Sequence, residues 1–150
     1  MLIRPIRPEE AGALSEIAFF AKRYWGYPEH WMEMWRPQLS FTSEYFVSNE
    51  GWVTVDEERL VGFYTLEEKY GNAWIENLWI LPEYIGKGIG KALFLHALEL
   101  ARQRGYTILR LEADPNAAGF YEKMGMYQIS ERQYEIDGQP RILPTMEIKL

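Results

Sequence analysis

The sequence predicts a mixed α/β fold built on a central, mostly antiparallel sheet of about seven strands with about four helices, and three observations lead there. Segments rich in β-branched and aromatic residues recur along the chain, separated by charged or glycine-containing turns. Two long stretches, 8–23 and 88–104, repeat their apolar residues with the helical period. The strand, helix and strand from Ala73 to Ala113 leave room for a right-handed parallel crossover, whereas most other strands are joined by short turns suited to antiparallel neighbours.

Taken in order, Leu2 to Ile6 reads as a short strand. Pro8, Glu9 and Glu10 then open a helix, because proline fits the first turn and the helix dipole favours acids there. Leu14, Ile17, Ala18 and Ala21 form its apolar stripe, and Gly26-Tyr27-Pro28 breaks it before a second helix from about Glu29 to Gln38. Thr42-Ser43-Glu44 caps one short turn. Trp52 to Val55 and Leu60 to Leu66 form a hairpin about Asp56-Glu57-Glu58, and Tyr70-Gly71-Asn72 turns into a further strand from Ala73 to Leu81. From Gly88 to Arg104, Ile89, Leu93, Ala97, Leu100 and Ala101 share one helical face, and Gly105 stops the helix. Thr107 to Ala113 is a strand, Ala117 to Met124 a short helix, and Met126 to Glu135 with Arg141 to Leu150 a closing hairpin around Asp137-Gly138. The predicted order is β-α-α-β-β-β-α-β-α-β-β.

A chain of 150 residues without repeats, linkers or low-complexity tracts is expected to form one domain over 1–150. It has no cysteine, so neither a disulfide framework nor a thiolate metal site is available, and His30 and His96 lack partners at metal-ligand spacing; no metal is expected. A net charge of −6 repels phosphate backbones, which argues against nucleic acid as a partner and favours cationic ones. No basic segment leads into a long apolar run and no stretch approaches a membrane span, so a cytoplasmic protein is expected.

The segment with most chemical content joins the strand ending at Leu81 to the helix after Gly88: Pro82-Glu83-Tyr84-Ile85-Gly86-Lys87-Gly88-Ile89-Gly90-Lys91. Its glycines let the backbone curl so that successive N–H groups converge, and the unpaired amides of a helix start add positive potential. A phosphate suits that point. A P-loop is excluded because Ala92 follows Gly90-Lys91 where Ser or Thr is required, and the dinucleotide fingerprint would need glycine where Lys91 stands.

Pro82 followed by Gly86-Lys87-Gly88-Ile89-Gly90-Lys91-Ala92-Leu93 resembles motif A of the GNAT N-acetyltransferase superfamily. Asn116-Ala117-Ala118-Gly119-Phe120-Tyr121-Glu122-Lys123-Met124-Gly125-Met126 is similar to its second signature, and the element order agrees over essentially the whole chain. The resemblance implies a GNAT-like fold, acetyl-coenzyme A as cofactor, and an amine of a small molecule or peptide as acceptor; dimers recur among such proteins. Cofactor contacts fall on Leu78, Trp79, Ile80, Ile85, Gly86, Lys87, Gly88, Ile89, Gly90, Lys91, Asn116, Phe120 and Tyr121. One departure is Ile85, which stands where the pattern has Gln or Arg; Lys87 or Lys91 is the available substitute.

An alkylammonium has no lone pair, so attack on a thioester needs a base, donors for the developing oxyanion, and an acid for the leaving thiolate. By the resemblance Tyr121 is the acid and the Ile80 backbone amide the oxyanion donor, with Leu78 and Ile80 pairing to the pantetheine arm and Asn116 orienting it. A core role for Tyr121 and a helix-cap role for Asn116 are the alternatives. Glu76 is the candidate base, since period two sets it on the face of Leu78 and Ile80 with Asn77 and Trp79 pointing the other way; a solvated carboxylate with proton transfer through water is the alternative.

The resemblance implies that substrate choice falls to the aromatic segment between the first two strands. Trp25, Tyr27 and Trp31 are the pocket candidates, with Trp35 continuing a spacing of four from Tyr27 and Trp31; a stripe docking the helix on the sheet is the other reading. A module that binds acyl-coenzyme A without transfer, and transfer to a non-amine acceptor, remain as alternatives to an N-acetyltransferase.

Overall fold

The computed structural model describes residues 1–150. Strands β1 (Leu2–Pro5), β2 (Glu50–Asp56), β3 (Arg59–Lys69), β4 (Asn72–Ile80), β5 (Ile108–Glu112), β6 (Tyr127–Ile136) and β7 (Gln139–Lys149) form one sheet in the order β1-β2-β3-β4-β5-β7-β6. All pairings are antiparallel except β4 with β5. That parallel contact is the predicted crossover, made through the long helix.

The helices are α1 (Ala11–Arg23), α2 (Glu29–Trp35), α3 (Ser43–Ser48), α4 (Ile89–Gln103) and α5 (Ala118–Lys123). Five helices replace the four expected, because the short turn after Thr42 is a helix, capped by the Thr42 hydroxyl accepting from the Tyr45 N–H at 3.2 Å. The second helix stops as α at Trp35 and continues only as a 3-10 turn over Arg36–Leu39, since Pro37 has no N–H to carry the ladder on.

Helices pack on both faces of the sheet. A Cβ on Gly62 of β3 would come within 3.3 Å of Ile89 and Leu93 of α4, so the missing side chain lets helix and strand approach. Its neighbour Phe63 points to the other face, where its ring meets Phe41 and Phe46 at 5.7 and 6.3 Å. On that side the Ser15 hydroxyl of α1 accepts from the Phe41 N–H at 2.8 Å. The α1 stripe Leu14, Ile17, Ala18 and Ala21 is buried as its period predicts; on α4 Phe94 is buried while Leu100 lies at the margin.

Two irregularities position the site. β4 pairs with β5 only at Ala73 with Leu109 and Trp74 with Arg110, so the edge of β4 beyond that point has no strand beside it. Between β3 and β4, Leu66 faces Ile75 and Thr65 faces Asn77, which leaves Glu76 as the extra residue of a β-bulge.

Candidate active site

The loop between β4 and α4 has its glycines for two reasons. Gly86 and Gly88 have φ of +83° and +82°, a left-handed conformation in which a side chain costs energy. Gly90 is required by space, because its Cβ would lie 2.9 Å from Ile80 Cδ1 and 3.4 Å from Phe120 Cζ. Within the loop Ile85 donates to Pro82, Lys87 to Tyr84 and Ala92 to Gly88. The N–H groups of Gly86, Gly88, Ile89, Gly90 and Lys91 have no backbone acceptor. They stand at the start of a 15-residue helix, where the dipole adds to their positive potential.

From these amides a cleft of about 460 Å³ borders the uncovered edge of β4. Leu81 donates its N–H to Val61 of β3, and amides alternate in direction along a strand, so the N–H groups of Ile80 and Leu78 point away from β3 toward the cleft. Among the predicted residues Trp25, Glu76, Leu78, Trp79, Ile80, Ile85, Gly86, Gly88, Ile89, Gly90, Lys91, Asn116, Phe120 and Tyr121 border it. Lys87 does not; its Nζ lies over the Tyr84 ring at 4.8 Å.

Tyr121 is buried, with its ring edge-on to Phe94 and Phe120. Burial, with the Asp114 charge adding to it, pushes its phenol well above the ordinary value, so the group holds its proton at neutral pH. Asn116 is held from below: its backbone N–H and its Nδ2 both donate to Asp114 Oδ1, at 2.9 and 3.0 Å, and Nδ2 also donates to the Tyr27 hydroxyl at 3.0 Å. With both amide hydrogens engaged, the carbonyl oxygen of Asn116 is the atom left to accept a bond from a ligand.

Two expectations need correction. Period two put Glu76 on the face of Leu78 and Ile80, but the bulge breaks the count there. Asn77 bonds to Thr65 and Tyr45, on the α3 face, and Glu76 turns to the same side, where it pairs with Lys69. The second concerns Tyr27 and Trp31, which do not border the cleft. They stack on each other at 6.3 Å and close around Trp35, itself buried, so the stripe mainly docks the helix; Trp25 alone of the three pocket candidates reaches the cleft. Trp79 also borders the cleft although its indole donates to Asn77.

Sequence reasoning missed a buried charge cluster behind the cleft wall. Asp114 accepts from the Tyr27 hydroxyl at 2.8 Å and Arg141 at 3.0 Å and faces the Lys22 Nζ at 3.9 Å, with all three charged side chains no more than 14% exposed. Lys22 lies 4.0 Å above the Trp35 ring. Asp114-Pro115-Asn116 is a turn signal that could have drawn attention to Asp114, but nothing local links it to residues 22 and 141. Glu112 was also missed; it borders the cleft and accepts from the Tyr134 hydroxyl at 2.5 Å.

The profile of the acetyltransferase (GNAT) family matches residues 14–126. Peptidyl-lysine N-acetyltransferase YjaB of Salmonella typhimurium is 39% identical over 90 residues, covering 59% of this chain and 58% of that protein. The chain spans about half the length of the first curated relatives it matches, 51% and 49% in two from Bacillus subtilis. Among solved structures, a GCN5-related N-acetyltransferase of Rhodopseudomonas palustris superposes with a TM-score of 0.85 at 26% identity, covering 99% of this chain and 95% of that one. The PaiA N-acetyltransferase of Thermoplasma acidophilum, solved with coenzyme A, shares the fold at a TM-score of 0.77 and 24% identity over the full length of both chains.

Proposed function

Because the chain belongs to the acetyltransferase (GNAT) family, we propose that it transfers the acetyl group of acetyl-coenzyme A to a primary amine of a small molecule or peptide, by direct attack in a ternary complex. The observation that carries this reading is the continuity of free amides. Five lie at the start of α4, at Gly86, Gly88, Ile89, Gly90 and Lys91, and the N–H groups of Ile80 and Leu78 follow along the open edge of β4. The first group suits a pyrophosphate and the second an extended amide-bearing arm, which adds to a strand edge by main-chain hydrogen bonds. The coenzyme supplies an activated acyl thioester when bound.

Each remaining task has a residue suited to it. Backbone N–H donors aimed at the thioester oxygen stabilise the charge that develops there, and Ile80 is that donor, with Leu78 beside it on the same edge. Tyr121, kept protonated by its buried setting, gives its proton to the departing sulfur. Glu76 borders the cleft from the α1 and α3 side, where Trp25 also lies, and takes the proton from the incoming ammonium. Ile85 brings no polar group to the anion end, and Lys91 lies there instead.

The test is thiol release from acetyl-coenzyme A with a panel of primary amines. Tyr121→Phe is expected to lower kcat by about a hundredfold while leaving KM for acetyl-coenzyme A nearly unchanged, since it removes a proton and little contact area. Binding of the coenzyme with no thiol released by any amine, and no effect of Tyr121→Phe, would instead favour a binding module.

A further inference from the structure

Tyr27 stands outside the cleft, yet its hydroxyl meets two groups of the cleft wall. It lies 2.8 Å from Asp114 Oδ2 and 3.0 Å from Asn116 Nδ2. The chemistry of the three groups fixes the direction of each bond. A carboxylate only accepts, so the single phenolic hydrogen goes to Asp114, and the oxygen is left to accept from the Asn116 amide. Burial, and next the bond to Asp114, raise the phenol above its ordinary pKa, so that hydrogen stays in place.

The hydroxyl is also held in position. The Tyr27 ring stacks on Trp31 with centroids 6.3 Å apart and stands edge-on to Trp35 at 5.0 Å. The Arg141 guanidinium lies 4.7 Å from its centre and the Lys22 ammonium 5.5 Å. A ring packed among side chains of α1, α2 and β7 cannot move its oxygen without disturbing all three. Asn116, by contrast, is exposed, and its Nδ2 has two partners, Asp114 Oδ1 at 3.0 Å and the Tyr27 hydroxyl. Two bonds at fixed points set the plane of an amide, whereas one leaves it free to swivel about the bond that remains.

Resting on the acetyl-transfer reading, we propose that Tyr27 is a positioning residue for the coenzyme. With Asp114 it pins both hydrogens of the Asn116 amide on the protein side, and so turns the Asn116 carbonyl oxygen to accept an amide N–H of the pantetheine arm. Tyr27 acts through Asn116 and does not itself touch the coenzyme. The loop between α1 and α2 thereby has two tasks: Trp25 borders the cleft, and Tyr27, two residues on, sets the group that steers the coenzyme arm.

The experiment measures binding of coenzyme A by calorimetry to the wild-type chain, Tyr27→Phe, Asn116→Ala and the double variant, each checked for folding by urea melts. Adenosine 3′,5′-bisphosphate, which carries the nucleotide end and lacks the arm, is the control ligand. Tyr27→Phe keeps the ring and is expected to weaken coenzyme A about fivefold, and Asn116→Ala about tenfold. The double variant should lose about tenfold, not the roughly fiftyfold of independent effects, and the bisphosphate should bind all four alike. Asn116→Asp, at an exposed position, supplies a second test that does not depend on altering Tyr27. It keeps acceptor oxygens and removes the pinned hydrogens, so coenzyme A should weaken relative to the bisphosphate about as much as in Asn116→Ala. Unchanged affinity in Tyr27→Phe, additive losses, equal weakening of the bisphosphate, or wild-type selectivity in Asn116→Asp each overturns the proposal. Any of these in a chain that still binds coenzyme A overturns this inference alone, whereas a wild-type chain that binds neither ligand overturns the acetyl-transfer reading with it.

Discussion

At the residue scale, one glycine and one lysine have consequences that a change of side chain exposes. A Cβ on Gly88 would meet nothing within 4 Å, so the whole penalty of Gly88→Ala lies in its φ of +82°. That conformation costs an alanine about 1–2 kcal/mol, which thermal or urea unfolding will register as lost stability. The same strain turns the neighbouring amides, so coenzyme A binding is expected to weaken about tenfold by calorimetry. Lys22 is the second case: burial, aided by Arg141 and opposed by Asp114, lowers its pKa to about 8 from the ordinary 10.5. Below that value the folded chain carries a poorly hydrated ammonium, which is destabilising. Between about 8 and 10 the unfolded chain binds the extra proton, so the Lys22 contribution makes stability rise with pH. Above that window the buried phenols of Tyr64 and Tyr121, whose pKa values are raised, act with the opposite sign. Lys22→Met is expected to stabilise the fold at neutral pH by on the order of 1–3 kcal/mol, and to flatten the rise seen in urea melts.

At the scale of elements, the site exists because strands part and a register slips. The glycine loop was legible in the sequence since glycine leaves a direct mark on backbone conformation, and Asn116, Phe120 and Tyr121 were legible as one short motif at the α5 end of the cleft. The bulge at Glu76 was not, because it follows from the pairing of β3 with β4 and leaves no signal in either strand alone. Tyr27, Trp31 and Trp35 misled for a related reason: helical spacing reports that residues share a face, while the partner of that face is set by tertiary packing. The charge cluster joins α1, the loop before α2, the end of β5 and β7 through a single carboxylate, at contacts up to 92 residues apart as Lys22 and Asp114 show. Asp114→Ala therefore leaves Lys22 and Arg141 facing each other without an anion, and it frees the Asn116 amide to rotate. Loss of about 3 kcal/mol in urea unfolding is expected, with a higher KM for acetyl-coenzyme A in the fraction that folds.

For the whole molecule, the sheet opens a cleft between β4 and β5, with α4 and α5 supplying the anion end and the proposed acid, and the α1 face supplying carboxylates and Trp25. The division agrees with the charge. A chain of net −6 would attract the proposed ammonium acceptor over its surface and still hold an anionic coenzyme where amides converge at short range. Everything proposed depends on those amides making hydrogen bonds to the coenzyme. Backbone amide proton shifts, recorded as coenzyme A is added, test this most directly. The account predicts that Gly86, Gly88, Ile89, Gly90 and Lys91 move downfield together, while Ile85, Lys87 and Ala92, already paired within the loop, move little. Saturating coenzyme that leaves the five unchanged, or shifts only the three paired amides, would contradict it.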